Sequence, residues 1–108
     1  MNESDFDRLA EATLVAVEEA IDDCGVDIDY DTAGGILTLE FANGSQIIIN
    51  KQAPLTQIWV AARSGGFHFD FDVAAECWRL AASGEELFSC LNRICSEQAG
   101  EPVSLERP

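Results

Sequence analysis

A chain of 108 residues, 47% of them apolar, can bury one core but not two, so residues 1–108 are expected to form a single domain. Its formal net charge of −14, from six Lys and Arg against twenty Asp and Glu, excludes a role that depends on gripping nucleic acid or an anionic membrane. No apolar run is long enough to span a bilayer, and the opening MNESDFDRLAEA is acidic and lacks the apolar stretch of a secretory signal.

The expected compartment is therefore the reducing cytoplasm. There Cys24, Cys77, Cys90 and Cys95, which contain no C-x-x-C pair, serve as small apolar fillers. Cys90 and Cys95 stand five apart, about 140° round a helix, which is poor for sharing a metal. The negative charge is also uneven. Eleven of the twenty acids fall in the first 31 residues, where Arg8 is the only base. Such a field attracts cations and basic protein surfaces.

In chain order, Ser4 to Asp23 reads as a helix. Phe6, Leu9, Ala10, Thr13, Leu14, Val17, Ala20, Ile21 and Cys24 recur at steps of three and four and make one apolar stripe. Ser4, with Asp7 three residues on, is the expected N-cap, and Gly25 suits a left-handed stop. On the opposite side Asp7, Glu11, Glu18 and Asp22 form a row, with Glu19 and Asp23 beside it. Like charges four apart weaken a helix, and anions at its C-terminus oppose the helix dipole. A row kept against both effects points to binding; the plain alternative is a solvated face on a helix that packs well.

Asp27–Thr32 alternates as a strand with Asp27, Asp29 and Asp31 on one face. Gly34-Gly35 turns it into Ile36–Phe41, and Asn43-Gly44 turns that into Ser45–Asn50. Pro54 marks a loop before Gln57–Ala62, Gly65-Gly66 is read as the turn into Phe67–Phe71, and a short strand follows around Glu76–Leu80. Ser83-Gly84-Glu85-Glu86 reads as a capping box opening a second helix, whose arc Leu87, Phe88, Leu91, Ile94 and Cys95 is buried and which Gly100 ends. The tail Glu101–Pro108 offers Val103 and Leu105 for packing. Short connections imply antiparallel pairing, and a sheet with one apolar face needs helices on that face only. The expectation is an α+β two-layer sandwich: an antiparallel sheet of five to six strands with the N- and C-terminal helices packed on one face.

Alternation places Ile58, Val60 and Ala62 toward the core and Gln57, Trp59 and Ala61 away from it. Ile47 and Ile49 likewise oppose Gln46, Ile48 and Asn50, and Phe67, Phe69 and Phe71 oppose His68 and Asp70. A Trp on the uncovered face amid Asn, Gln and His has the composition of a protein-binding patch.

Asp27-x-Asp29-x-Asp31 is not a calcium hand, because Thr32 and Thr38 stand where such a loop needs Gly and Glu. Carboxylates without His or Cys suit hard ions, so iron, manganese, calcium or magnesium are the candidates for weak binding on a hydrated ridge; the plain alternative is a solvated acidic face with no dedicated ligand. Catalysis finds little support. His68 is the only histidine, and no zinc-protease helix, nucleophile elbow or phosphate loop occurs.

Asn50-Lys51-Gln52-x-Pro54-x-x-Gln57-Ile58-Trp59, followed by Ser64-Gly65-Gly66-x-His68-Phe69-Asp70, resembles the signature of the frataxins, and most closely that of their bacterial branch. Glu18-Glu19-x-x-Asp22-Asp23, Asn43-Gly44, the Trp78 strand and Ser83-Gly84 extend the likeness nearly end to end. The resemblance implies a cytosolic, non-enzymatic protein of iron–sulfur cluster assembly, which binds ferrous or ferric iron weakly at its surface. It further implies docking on the cysteine desulfurase, near the scaffold protein, as a regulator. Carried over by residue, the iron ridge is Glu11, Glu18, Glu19, Asp22 and Asp23 with Asp27, Asp29 and Asp31 on the strand; the partner contacts are Asn50, Gln52, Gln57 and Trp59. A monomer is expected, with iron-induced oligomers and weak ferroxidase activity as the alternative. The connection Cys24-Gly25-Val26 is shorter and less acidic than the family pattern, which leaves open which strand aspartates meet the ridge.

Overall fold

The computed structural model describes residues 1–107; Pro108, the last residue of the expected tail, lies outside them. Helix α1 (Glu3–Asp23) leads into strands β1 (Ile28–Ala33), β2 (Ile36–Phe41), β3 (Gln46–Gln52), β4 (Gln57–Ala62), β5 (Gly65–Asp72) and β6 (Cys77–Leu80), and helix α2 (Leu87–Ala99) follows. The strands form one antiparallel sheet in sequence order, β1 to β6, with β1 and β6 at its edges. Both helices pack on one face, as the two-layer reading expects. Among the described residues no helix is long and apolar enough to cross a membrane.

The core follows the sequence periodicity. Phe6, Ala10, Leu14, Val17 and Ile21 of α1 meet Leu37, Leu39, Ile47, Ile49, Ile58, Val60 and Phe69 of the sheet and Leu87, Leu91, Ile94 and Cys95 of α2. Trp78 is also inside, edge-on to Phe6 and Phe71 with centroids 5.9 and 5.1 Å away. Its indole N–H donates to Thr13 Oγ1 at 2.9 Å, and the Thr13 hydroxyl donates to the Leu9 carbonyl at 2.8 Å. Burying the indole therefore leaves no polar atom stranded. Val103 and Leu105 of the tail are buried, held by hydrogen bonds from their N–H groups to Ser96 Oγ and Asn92 Oδ1.

Three boundaries differ from the sequence reading. The N-cap of α1 is Asn2, whose Oδ1 accepts from Asp5 N–H at 2.7 Å, so Ser4 lies inside the first turn. Helix α2 is capped by Glu86, whose carboxylate accepts from the N–H groups of Phe88 and Ser89. The expected capping box is instead a turn before the helix, with Ser83 Oγ accepting from Glu85 N–H. Glu85 is drawn off by sheet pairing, since its carbonyl accepts from Leu80 N–H at 2.8 Å. The β4–β5 turn is Arg63-Ser64, because Ala62 pairs with Gly65 and Ala61 with Gly66, so both glycines open the strand. Gly25, by contrast, takes the left-handed conformation expected of it, at φ 75°.

Candidate functional site

Strand register assigns every side chain to a face. Leu37, Leu39 and Phe41 of β2 are buried under the helices, and they pair with Thr32, Tyr30 and Ile28 of β1. Tyr30 and Thr32 therefore face the helix layer, while Asp29 and Asp31, opposite Glu40 and Thr38, face the uncovered side. Asp27 precedes the strand, close to Asn43, Ala99 and Glu101. The strand aspartates thus do not join the helix row. Two different residues do: Tyr30 Oη donates to Asp22 Oδ2 at 2.9 Å, and Thr32 Oγ1 donates to Glu18. The phenol is held above its ordinary pKa, because ionising it would break the bond to Asp22 and set two anions together.

The helix row is itself divided. Lys51, one step past the buried Ile47 and Ile49 in the same parity, reaches from β3 to Glu11 at 2.6 Å and Asp7 at 3.7 Å. Its bond to Glu11 raises the ammonium pKa, so the N-terminal half of the row carries a counter-charge. Gly35 makes room for this lysine: a Cβ there would lie 2.7 Å from Lys51 Cε. Glu19 and Asp23 lie on the other flank, beside Ser104 and Glu106 of the tail. Among the described residues, no three His, Cys, Asp or Glu side chains converge in the manner of a metal centre. The donor set fits a hard cation held by one or two carboxylates and water, and does not fit a closed coordination sphere.

On the uncovered face, register lines up Ile36, Asn50, Trp59 and His68 in one row, and Gln52, Gln57, Asp70 and Arg79 in the next. Trp59 is half-buried on that face, as alternation predicts. His68 stacks on its ring, with centroids 4.2 Å apart and planes within 11°. Its indole N–H donates to Gln57 Oε1 at 2.8 Å, and the same amide donates to Asp70 Oδ1 at 3.1 Å. Asn50 Nδ2 reaches Gln52 Oε1 only at 3.5 Å, so both amides keep free hydrogen-bonding capacity. The four expected contact residues therefore form one cluster. Ile36 and Ile48 extend it toward β1, at 42% and 38% exposure, which is high for isoleucine in a strand.

Sequence reasoning missed the roles of Lys51, Tyr30 and Thr32. For Lys51 a signal was present, since it is a charge at a core-facing parity. For Tyr30 and Thr32 only the pairing of β1 with β2 decides the face.

A frataxin-like domain model matches residues 1–101. The chain is 54% identical to the iron–sulfur cluster assembly protein CyaY of Pseudomonas paraeruginosa over 103 residues, covering 95% of each chain. Its fold is similar to that of the CyaY-family frataxin from Psychromonas ingrahamii, with TM-score 0.90 and 38% identity, covering 99% of this chain and all of that one (100%). The trimeric frataxin of the yeast Saccharomyces cerevisiae, complexed with ferrous iron, matches at TM-score 0.60 and 27% identity, covering 94% of this chain and 88% of that one.

Proposed function

This chain belongs to the frataxin-like family, and from that premise we propose that it serves iron–sulfur cluster assembly as an adaptor and regulator that docks on the cysteine desulfurase–scaffold complex. The observation that carries the reading is the shared edge. Strand β1 presents Asp29 and Asp31 on the face that bears Trp59, while Tyr30 and Thr32 hold the helix carboxylates Asp22 and Glu18 on the other side. One partner wrapping that edge would meet both halves. Strands β1 and β4 are three spacings apart, about 14 Å, well within one standard interface.

In this reading Trp59 is the desolvated anchor, Asn50, Gln52 and Gln57 supply amide contacts around it, and the carboxylates meet a basic surface. Iron is cargo or effector, held weakly and with most of its water by the helix carboxylates Glu18, Glu19, Asp22 and Asp23 on one side of the edge or by Asp29 and Asp31 on the other, with Asp27 apart from both. Glu11 would contribute only when Lys51 releases it. Open, hydrated carboxylates without His favour exchange over fast redox chemistry, which argues against a ferroxidase. A ferroxidase would instead consume oxygen on addition of ferrous iron and stop when the carboxylates become amides.

The test is capture from a cytosolic extract with and without ferrous iron, followed by calorimetry on the purified partner. The desulfurase should be recovered, and Trp59→Ala should weaken its binding about 10-fold or more, the loss of one hot-spot anchor. Recovery of no desulfurase under either condition would sink the reading.

A further inference from the structure

We propose that the open edge of β1 takes an extended, basic segment of a protein partner, which adds to the sheet as an outer strand beyond β1. The inference rests on the reading that a basic partner docks at this edge, and it specifies the manner of docking.

The β1–β2 hairpin sets which backbone groups of β1 are open. Its two-residue turn is Gly34-Gly35, with φ 60° and 79°, closed by the pair Ala33 and Ile36. In such a hairpin the closing pair exchanges both hydrogen bonds, and the pattern then alternates along the ladder. Ala33, Asp31 and Asp29 therefore bond to β2, while the N–H and C=O groups of Thr32 and Tyr30 point outward from the sheet. Lys51 N–H donating to the Gly35 carbonyl at 3.1 Å fits the same alternation on the far side of β2. The Ile28 N–H is already taken by the Val26 carbonyl at 2.9 Å, so the open template is centred on Tyr30 and Thr32.

The charges around that template select the occupant. A strand added there sends its side chains alternately to the two faces of the sheet. Those on the helix face meet Asp22 and Glu18, which Tyr30 and Thr32 hold beside the edge. Those on the uncovered face meet Asp29 and Asp31. Carboxylates thus await both faces of the incoming strand, and opposite charges across a strand pair are favourable where like charges are not. A second copy of β1 would set acid against acid, which is also how a protein keeps an edge from pairing with itself. An amphipathic strand would leave one row of carboxylates unanswered. The matching partner is a short strand with Lys or Arg facing both ways.

The test uses the full chain and a capped hexapeptide of alternating Lys and Arg at low salt, with amide exchange read by NMR. At peptide tenfold above its Kd, exchange at Tyr30 and Thr32 should slow about 10-fold, as occupancy requires. The same peptide with every backbone amide N-methylated keeps its charge but offers no backbone N–H on either edge, and should give no protection there. Equal protection by both peptides, or none by either, would overturn strand addition. Thr32→Pro removes the outward N–H at an edge position that tolerates proline. It should abolish the protection at Tyr30, whereas Thr32→Val, which removes only the hydroxyl, should keep it. Should Thr32→Pro fail to fold, the two peptides on the native chain still decide. A desulfurase that binds folded Thr32→Pro with undiminished affinity overturns strand addition and leaves the docking reading standing; a protected edge with no desulfurase binding does the reverse.

Discussion

At the scale of single residues, the feature that most changes the picture of the acidic row is Lys51. It is tied to Glu11 and Asp7 on α1, so the row is compensated at one end and free at the other. Lys51→Met should cost little stability, about 1 kcal/mol or less for a pair with exposed carboxylates. It should nevertheless strengthen weak divalent-cation binding at Asp7 and Glu11, read as broadening of their amide signals by manganese. Tyr30 and Lys51 also give a signed pH dependence. Both hold their protons more tightly in the fold than the ordinary values of 10.0 and 10.5. Their contributions are thus complete below those values and fade as pH rises through the higher folded ones. The urea midpoint should therefore fall above pH 10.0 more steeply in the native chain than in Tyr30→Phe, which has no phenol to lose. Equal slopes would mean that the Tyr30–Asp22 bond contributes nothing.

At the scale of elements, most of the architecture was legible because period and turn chemistry agree. The stripe of α1, the alternation of β2 to β5 and the glycines of the first two hairpins each name the structure they form. Boundaries were less legible, since caps compete locally. Asn2 outcompetes Ser4, and the backbone of Glu85 is taken by β6 before the expected capping box can form. The aspartates of β1 could be put on a common face by alternation, but which face looks at α1 depends on pairing with Leu37, Leu39 and Phe41. Gln98 was invisible for a similar reason. On α2 it reads as an ordinary polar residue, yet it is 4% exposed. Its Oε1 accepts from Arg63 N–H at 2.9 Å, and its Nε2 donates to Ser45 Oγ and the Gln46 carbonyl at 3.1 and 3.2 Å. One side chain thereby fastens the β2–β3 and β4–β5 turns to α2. Gln98→Ala should cost about 1–3 kcal/mol, since it strands the polar partners it now satisfies, and urea unfolding would show it. A loss within experimental error would mean that water replaces the amide fully.

At the scale of the whole molecule, an acidic edge borders a two-layer core. The net charge of −14 works against compactness and for encounter with a basic partner. The two effects respond oppositely to salt: stability should rise with ionic strength while partner affinity falls. The two halves of the proposed docking surface should also separate kinetically. Carboxylates at the rim steer association, whereas a desolvated anchor governs dissociation. The most direct measurement is the association and dissociation rates with the desulfurase across ionic strength, for the native chain, Trp59→Ala, and Glu18→Lys combined with Asp22→Lys. Under two-part docking the charge-reversed chain should associate more slowly with a flatter salt dependence, while Trp59→Ala keeps the native association rate and dissociates about 10-fold faster or more. Unchanged rates in both variants would contradict it.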